Sequence, residues 1–194
     1  MEEILWFVSR AAGLVSLLML TGTVVLGCAH ATRASTGRWQ RFTLHALHRN
    51  LSLLALVFLA VHIASAILDG YVPLQWVDAV IPFVSDYHPL WVGLGAIAFD
   101  LMLAVLVTSL LRHRLSQRLW RAVHVASYAM WPVAMIHGLG IPGSDSELTW
   151  VIAMNGACAA AVAAAVTRRL LVRHPDTKAR RAMAGTRRPH STTH

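Results

Sequence analysis

Five long apolar blocks limit what this chain can fold into. They cover residues 4–27, 48–69, 89–111, 120–141 and 148–172. Each is long enough to cross a bilayer as a helix, which takes about 20 residues. Only 13% of the 194 residues are charged, against about 25% in a soluble domain. The pattern predicts an all-α, polytopic membrane protein built as a bundle of five transmembrane helices.

The distribution of positive charge predicts the orientation of this bundle. All of the 17 Lys and Arg residues except Arg10 lie in three regions: between the first two blocks or at the start of the second, between the third and fourth or at the start of the fourth, and from the end of the fifth onwards. The connections 70–88 and 142–147 contain no Lys or Arg. The positive-inside rule therefore places the N-terminus outside and the C-terminus in the cytoplasm. The net charge of +8 is explained by topology, so we expect no nucleic-acid partner.

The chain divides into a membrane domain over residues 1–172 and a basic tail over 173–194, which we expect to be disordered and cytoplasmic. No glycine-rich phosphate loop or dinucleotide fingerprint occurs in the sequence. No soluble stretch is large enough to form a nucleotide-binding domain. Any source of electrons or energy is therefore expected to be a separate molecule.

Four of the eleven histidines lie in or at the ends of apolar blocks, two in each of two blocks. His48 and His62 lie in the second block, the former at its start, and His124 and His137 lie in the fourth. At about 1.5 Å per residue, the two members of each set are about 20 Å apart along the helix axis. Both blocks are predicted to run from inside to outside. His48 and His124 should therefore share a level near the inner face, and His62 and His137 a level nearer the outer face.

The helical phase of these positions is favourable in one block and unfavourable in the other. At about 100° per residue, His62 lies about 40° from His48, on one face of an ideal helix. His137 lies about 140° from His124 in an ideal helix. Pro132 lies between them and removes a backbone hydrogen bond. We expect either a helix distortion that brings His124 and His137 onto one face, or two histidines that point to their levels from different sides of the helix.

Imidazoles that face each other across a helix bundle are the ligands expected of a b-type haem. Each neutral ring gives one nitrogen to iron, and its other nitrogen needs a hydrogen-bond acceptor. Two axial imidazoles leave no position for oxygen, so such a haem transfers electrons. The alternative is a non-redox membrane anchor or transporter with structural histidines. Ionisable groups inside spans are costly and usually functional, which favours haem. His45 is an alternative to His48 as the inner ligand.

The double histidine spacing, with Gly138 after the last histidine, resembles the ferric reductase-like transmembrane domain. That domain is shared by ferric reductases and NADPH oxidases, and it is similar to the haem-binding membrane subunit of methionine sulfoxide reductase systems. The resemblance covers about residues 4–141. It implies two stacked b haems whose iron ligands are His48 with His124 and His62 with His137.

Arg10 is the one positive charge placed well inside a predicted outer half-span. Together with Gly13, it is similar to the spacing at the start of many family members. The resemblance implies that Arg10 binds a haem propionate. The alternative is that its side chain snorkels to the outer interface.

We therefore expect the electron-transfer membrane component of an oxidoreductase, rather than a complete enzyme, in the bacterial plasma membrane. The expected donor is a cytoplasmic flavoprotein or quinol. The expected acceptor is extracytoplasmic: ferric iron, a flavin-bearing protein or a methionine sulfoxide reductase. The redox alternative is a single-haem subunit that passes electrons to a bound flavin or quinone.

Overall fold

The computed structural model describes residues 2–31, 38–143 and 148–171, and every regular element in this part of the chain is helical. The all-α prediction is confirmed. The predicted tail over 173–194 lies outside the described residues. The elements are α1 (Glu2–Ala31), α2 (Arg38–Leu68), a 3₁₀ turn (Trp76–Ala79), α3 (Pro89–Leu110), α4 (Gln117–Ala126), a second 3₁₀ turn (Ser127–Ala129), α5 (Met130–Gly140) and α6 (Thr149–Leu171).

Four stretches within these helices are long and apolar enough to cross a membrane. They are Glu3–Ala31, Phe42–Leu68, Pro89–Leu110 and Thr149–Leu171. They correspond to the first, second, third and fifth blocks of the sequence and indicate a multi-pass membrane protein. α2 begins at Arg38, well before the predicted start at 48, because the helix continues through the basic stretch that precedes His48.

The fourth predicted span, 120–141, is not one continuous helix. It consists of α4, the second 3₁₀ turn and α5 in direct succession, and each piece is too short to cross a bilayer alone. Pro132, the third residue of α5, has no N–H to donate to the carbonyl of Tyr128 in the 3₁₀ turn. This missing bond explains why the α-helical pattern lapses there. Five continuous transmembrane helices are therefore not confirmed.

α1 connects the two helices that carry the outer histidines. It packs along α2 and contacts α5 and α6, while α3 packs along α5. Gly22 allows the close approach of α2, because a Cβ at that position would lie 2.7 Å from Cδ2 of Leu51. On the α5 side, the buried indole N–H of Trp131 donates to Oγ1 of Thr21 at 2.8 Å. α1 thus packs against both helices that carry the outer histidines, against α2 at Gly22 and against α5 at Thr21.

Candidate functional site

The structure brings the four intramembrane histidines together as two pairs. The ring centres of His48 and His124 are 6.3 Å apart, and those of His62 and His137 are also 6.3 Å apart. These are the two pairs expected from the histidine levels. We call His48 and His124 the inner pair and His62 and His137 the outer pair, after the predicted orientation.

The separation within each pair matches two imidazoles that share one metal ion. An imidazole nitrogen lies about 2.0–2.1 Å from a bound first-row ion such as zinc and about 1.2 Å from its own ring centre, so two rings on opposite sides of one ion have centres about 6.4 Å apart. The ring planes are inclined by 60° in the inner pair and 79° in the outer pair, so parallel stacking holds neither pair. Both pairs fit the axial ligand set of a haem.

The outer imidazole on α2 rests against α1. Nδ1 of His62 lies 2.8 Å from the carbonyl oxygen of Ser9. In an α-helix this carbonyl points towards the N–H four residues later, which belongs to Gly13. A Cβ on Gly13 would lie 2.9 Å from Nδ1 of His62, so the glycine leaves the space that the ring occupies. We call this combination, a backbone carbonyl that accepts from Nδ1 and a glycine four residues later beside the ring, a glycine cradle.

Two further imidazoles lie in glycine cradles, each on a neighbouring helix. The atoms involved are Nδ1 of His48 at 3.0 Å from the Thr23 oxygen beside Gly27, and Nδ1 of His137 at 2.7 Å from the Trp91 oxygen beside Gly95. A carbonyl oxygen only accepts hydrogen bonds, so Nδ1 carries the proton in all three rings. The lone pair then lies on Nε2, which is the form of the imidazole that binds a metal ion.

His124 is held differently from the other three. Its Nδ1 is buried and has no hydrogen-bond partner among the described residues. Its ring instead stacks on Trp120, with centres 5.0 Å apart and planes inclined by 18°. The guanidinium carbon of Arg112 lies 5.0 Å from the centre of the Trp120 ring. Ring stacking, rather than a backbone carbonyl, therefore orients the fourth imidazole.

A cavity of about 1100 Å³ opens beside the outer pair, and both His62 and His137 line it. Ligand sites in proteins usually measure about 300–1,000 Å³, so a large prosthetic group can be accommodated. The lining is mainly apolar side chains of α1, α2, α3, α5 and α6. An apolar cavity with two opposed imidazoles is the chemistry that haem b requires. The residues present therefore fit this group.

Arg10 also lines this cavity. Its Nη2 donates to the carbonyl oxygen of Pro142 at 2.8 Å, and its guanidinium carbon lies 5.7 Å from the centre of the Trp6 ring. The side chain is thus held where the cavity meets the segment after α5. A cation in this place suits the carboxylates of a haem, although that role stays a prediction.

His45, the alternative inner ligand, belongs to neither pair. Its ring faces His30 in the last turn of α1, with centres 6.2 Å apart, and both side chains are exposed. The imidazole that faces His124 is that of His48.

The glycine cradles were not anticipated from the sequence, although a signal for two of them is present. Gly13 and Gly27 are separated by the same fourteen positions as His48 and His62. α1 and α2 are consecutive helices that pack along each other, and the matched spacing lets each glycine meet one histidine. Gly95 carries no comparable signal, because its partner His137 lies on another helix at an unrelated spacing.

Comparison with known families agrees with this site. A family model described as "Ferric reductase like transmembrane component" matches residues 12–135, which is 124 of the 194 residues. The match includes His48, His62 and His124 and ends just before His137. No curated protein and no solved structure matches the chain. Because the family model covers more than half of its length, the chain belongs to the family of ferric reductase-like transmembrane components.

Proposed function

We propose that this membrane protein carries electrons across the bilayer through two b-type haems, each held by two histidines. The observation that carries the proposal is the ring separation of 6.3 Å in both pairs. This separation suits one metal ion between two imidazoles, and it recurs at two levels of the same bundle. Family membership supports the same function.

Each part of the site has a defined task in this proposal. A haem bound between two histidines would supply a one-electron iron couple. The cradle carbonyls of Ser9, Thr23 and Trp91 hold the protons of three imidazoles on Nδ1 and would leave each Nε2 available to bind the iron. The mainly apolar lining of the outer site would contact the macrocycle, and Arg10 would offer a cation to the propionates.

The two levels are far enough apart to carry electrons through most of the membrane. His48 and His62 are fourteen residues apart on α2, or about 21 Å along the axis, within a hydrocarbon core of about 30 Å. We place the protein in the bacterial plasma membrane with five crossings, the broken α4–α5 segment forming the fourth. The N-terminus is outside, the donor is a cytoplasmic flavoprotein or quinol, and the acceptor is extracytoplasmic.

A second candidate function is a single haem at the outer pair that exchanges electrons with a bound flavin or quinone. Two observations favour it. The cavity described above is lined by the outer histidines, and Nδ1 of His124 in the inner pair has no acceptor among the described residues.

The haem content of the purified, haem-replete protein tests these functions. We expect a reduced-minus-oxidised spectrum with a b-type α-band and two haems per chain. A ratio of one favours the single-haem function, and absence of the band favours a non-redox anchor or transporter. His48→Ala and His124→Ala should each remove the same haem, and His62→Ala and His137→Ala the other. His45→Ala is the matched control and should keep both haems. Loss in any other combination contradicts the pairing.

A further inference from the structure

A third histidine pair lies at the end of the α1–α2 hairpin. His30 is in the last turn of α1 and His45 is in the first third of α2. Their ring centres are 6.2 Å apart with planes inclined by 60°. This is nearly the separation of the inner and outer pairs. Unlike those pairs, however, both side chains are exposed.

This pair is placed unfavourably for a haem. His45 precedes His48 by three residues, or about 4.5 Å along the helix axis, so a macrocycle there would overlap one held by the inner pair. An exposed site also lacks the apolar enclosure that surrounds the outer pair. A single ion needs neither the space nor the enclosure. Two imidazoles have ring centres about 6.4 Å apart on opposite sides of one ion and about 5.2 Å apart at the tetrahedral angle of zinc. The exposed side chains of His30 and His45, with ring centres 6.2 Å apart, can make the small adjustment between these two arrangements.

We infer that His30 and His45 form a binding site for a late first-row divalent metal ion such as zinc or copper. Neutral imidazole nitrogens favour these ions, whereas magnesium and calcium need carboxylate and carbonyl oxygens. This inference goes beyond the proposed electron transfer and does not depend on haem. The metal ion would be a ligand of the α1–α2 hairpin end, separate from the two predicted haems.

The site offers two protein ligands, and water completes the coordination. No group of three or more His, Cys, Asp or Glu side chains that could hold a metal ion occurs among the described residues. The connection 32–37 has the sequence TRASTG and contains none of these residue types. The nearest thiol in α1, Cys28, is buried and donates to the hydroxyl of Tyr128. A two-ligand site binds reversibly, unlike a closed structural zinc site with four ligands.

Binding has a structural consequence because the two ligands come from different helices. An ion shared by His30 and His45 fastens the end of α1 to the start of α2. It also places positive charge one helical turn from His48 of the inner pair. Metal availability on this side of the membrane would thereby act on the helix that carries one ligand of each predicted haem.

Metal titration of the full chain tests the site. The protein is purified in detergent, freed of any polyhistidine tag, treated with a chelator, and titrated with zinc by calorimetry. We expect His30→Ala and His45→Ala each to weaken the zinc site at least tenfold. The double variant should be no weaker than either single variant, because both histidines serve one ion. His113→Ala, which removes another exposed histidine, is the matched control and should bind zinc like the unchanged protein.

Copper(II) provides a second, spectroscopic measurement. The paramagnetic resonance spectrum should show coupling to two imidazole nitrogens, which the double variant loses. Unchanged zinc affinity in both single variants overturns the inference, as does a site that His113→Ala removes. Haem content reports on folding and on the proposed function separately, so a failed metal titration and a failed electron-transfer proposal are distinguishable. If either alanine variant fails to fold, His30→Gln and His45→Gln replace it at these exposed positions with the same expected loss.

Discussion

The outer and inner histidine pairs have the same ring separation but reach it by different means. In the outer pair, both His62 and His137 donate to backbone carbonyls and lie against glycines. In the inner pair only His48 does so, and His124 relies on the ring of Trp120. A carbonyl inside a helix is fixed by the helix itself, whereas a stacked ring depends on one side chain. The outer geometry therefore depends on main-chain carbonyls and on the two glycines beside the rings, whereas the inner geometry depends in part on the side chain of Trp120.

The largest effect is expected from substitutions of the two glycines that lie beside the imidazoles of the outer pair. A Cβ at position 95 would lie 2.7 Å from Cε1 of His137, and one at position 13 would lie 2.9 Å from Nδ1 of His62. Gly95→Ala and Gly13→Ala should each displace an imidazole and lower the affinity for the outer haem at least tenfold, within the 10–100-fold range known for groups that orient metal ligands. Haem per chain in the purified variants measures the effect.

Gly27→Ala is the matched control for these two variants. A Cβ at position 27 would lie 3.5 Å from Cε1 of His48, an ordinary van der Waals distance. Both haems should therefore remain, with little change in stability. Equal haem loss in all three glycine variants would show that the helices, and not the imidazoles, require these glycines.

An intermediate effect is expected from the stacking partner of the inner pair. Trp120→Ala removes the ring that orients His124, and should weaken inner haem binding about tenfold while the outer haem is retained. Trp120→Phe keeps an aromatic face and should restore most of the occupancy, since aromatic stacking contributes about 0.5–1.5 kcal/mol beyond area burial. The spectrum and midpoint potential of the inner haem measure both variants. Parallel loss of both haems in Trp120→Ala would contradict the assignment of Trp120 to one pair.

The smallest expected effect is that of Ser9→Ala, which tests whether the carbonyl or the hydroxyl of Ser9 holds His62. Ser9→Ala leaves the carbonyl that accepts from His62 in place and removes only a hydroxyl whose contacts with His62 are long, at 3.4 Å. Outer haem occupancy should change less than twofold, and thermal unfolding of the haem-loaded protein should change little. A loss comparable with that of Gly13→Ala would mean that the hydroxyl, rather than the carbonyl, holds the ring.

Spacing along the sequence was sufficient to predict which histidines meet. Nearly equal separations, of fourteen and thirteen residues, define two levels, and the structure brings together the imidazoles that share a level. The phase mismatch of His124 and His137 is reduced by the 3₁₀ turn. Residues there advance about 120° each instead of about 100°, so three of them lower the offset from about 140° to about 80°. The sequence indicated a distortion caused by Pro132. The structure places this distortion at the 3₁₀ turn Ser127–Ala129, which contains Tyr128, the residue whose carbonyl lacks an N–H from Pro132.

The cradles could not be predicted in the same way. Their oxygens belong to the main chain, so no residue type marks positions 9, 23 or 91. Which carbonyl meets which imidazole depends on how α1 and α3 are rotated against their neighbours. The polar residues of α3 are only Asp100, Thr108 and Ser109, too few to form a polar face that would indicate that rotation. The stacking of Trp120 on His124 is local, one turn apart on α4, and a search for ring pairs at i, i+4 would have found it.

The glycine cradle has a consequence for the design of membrane cofactor proteins. Specifying an imidazole tautomer is usually approached by adding a carboxylate or hydroxyl beside the ring, and in hydrocarbon every added polar side chain is costly. At His62 and His137 the same choice is made by a backbone carbonyl and by the absence of a methyl group four residues later. A designer can therefore fix which nitrogen of a buried imidazole carries the proton by placing a glycine beside the ring, without adding a polar side chain to the helix.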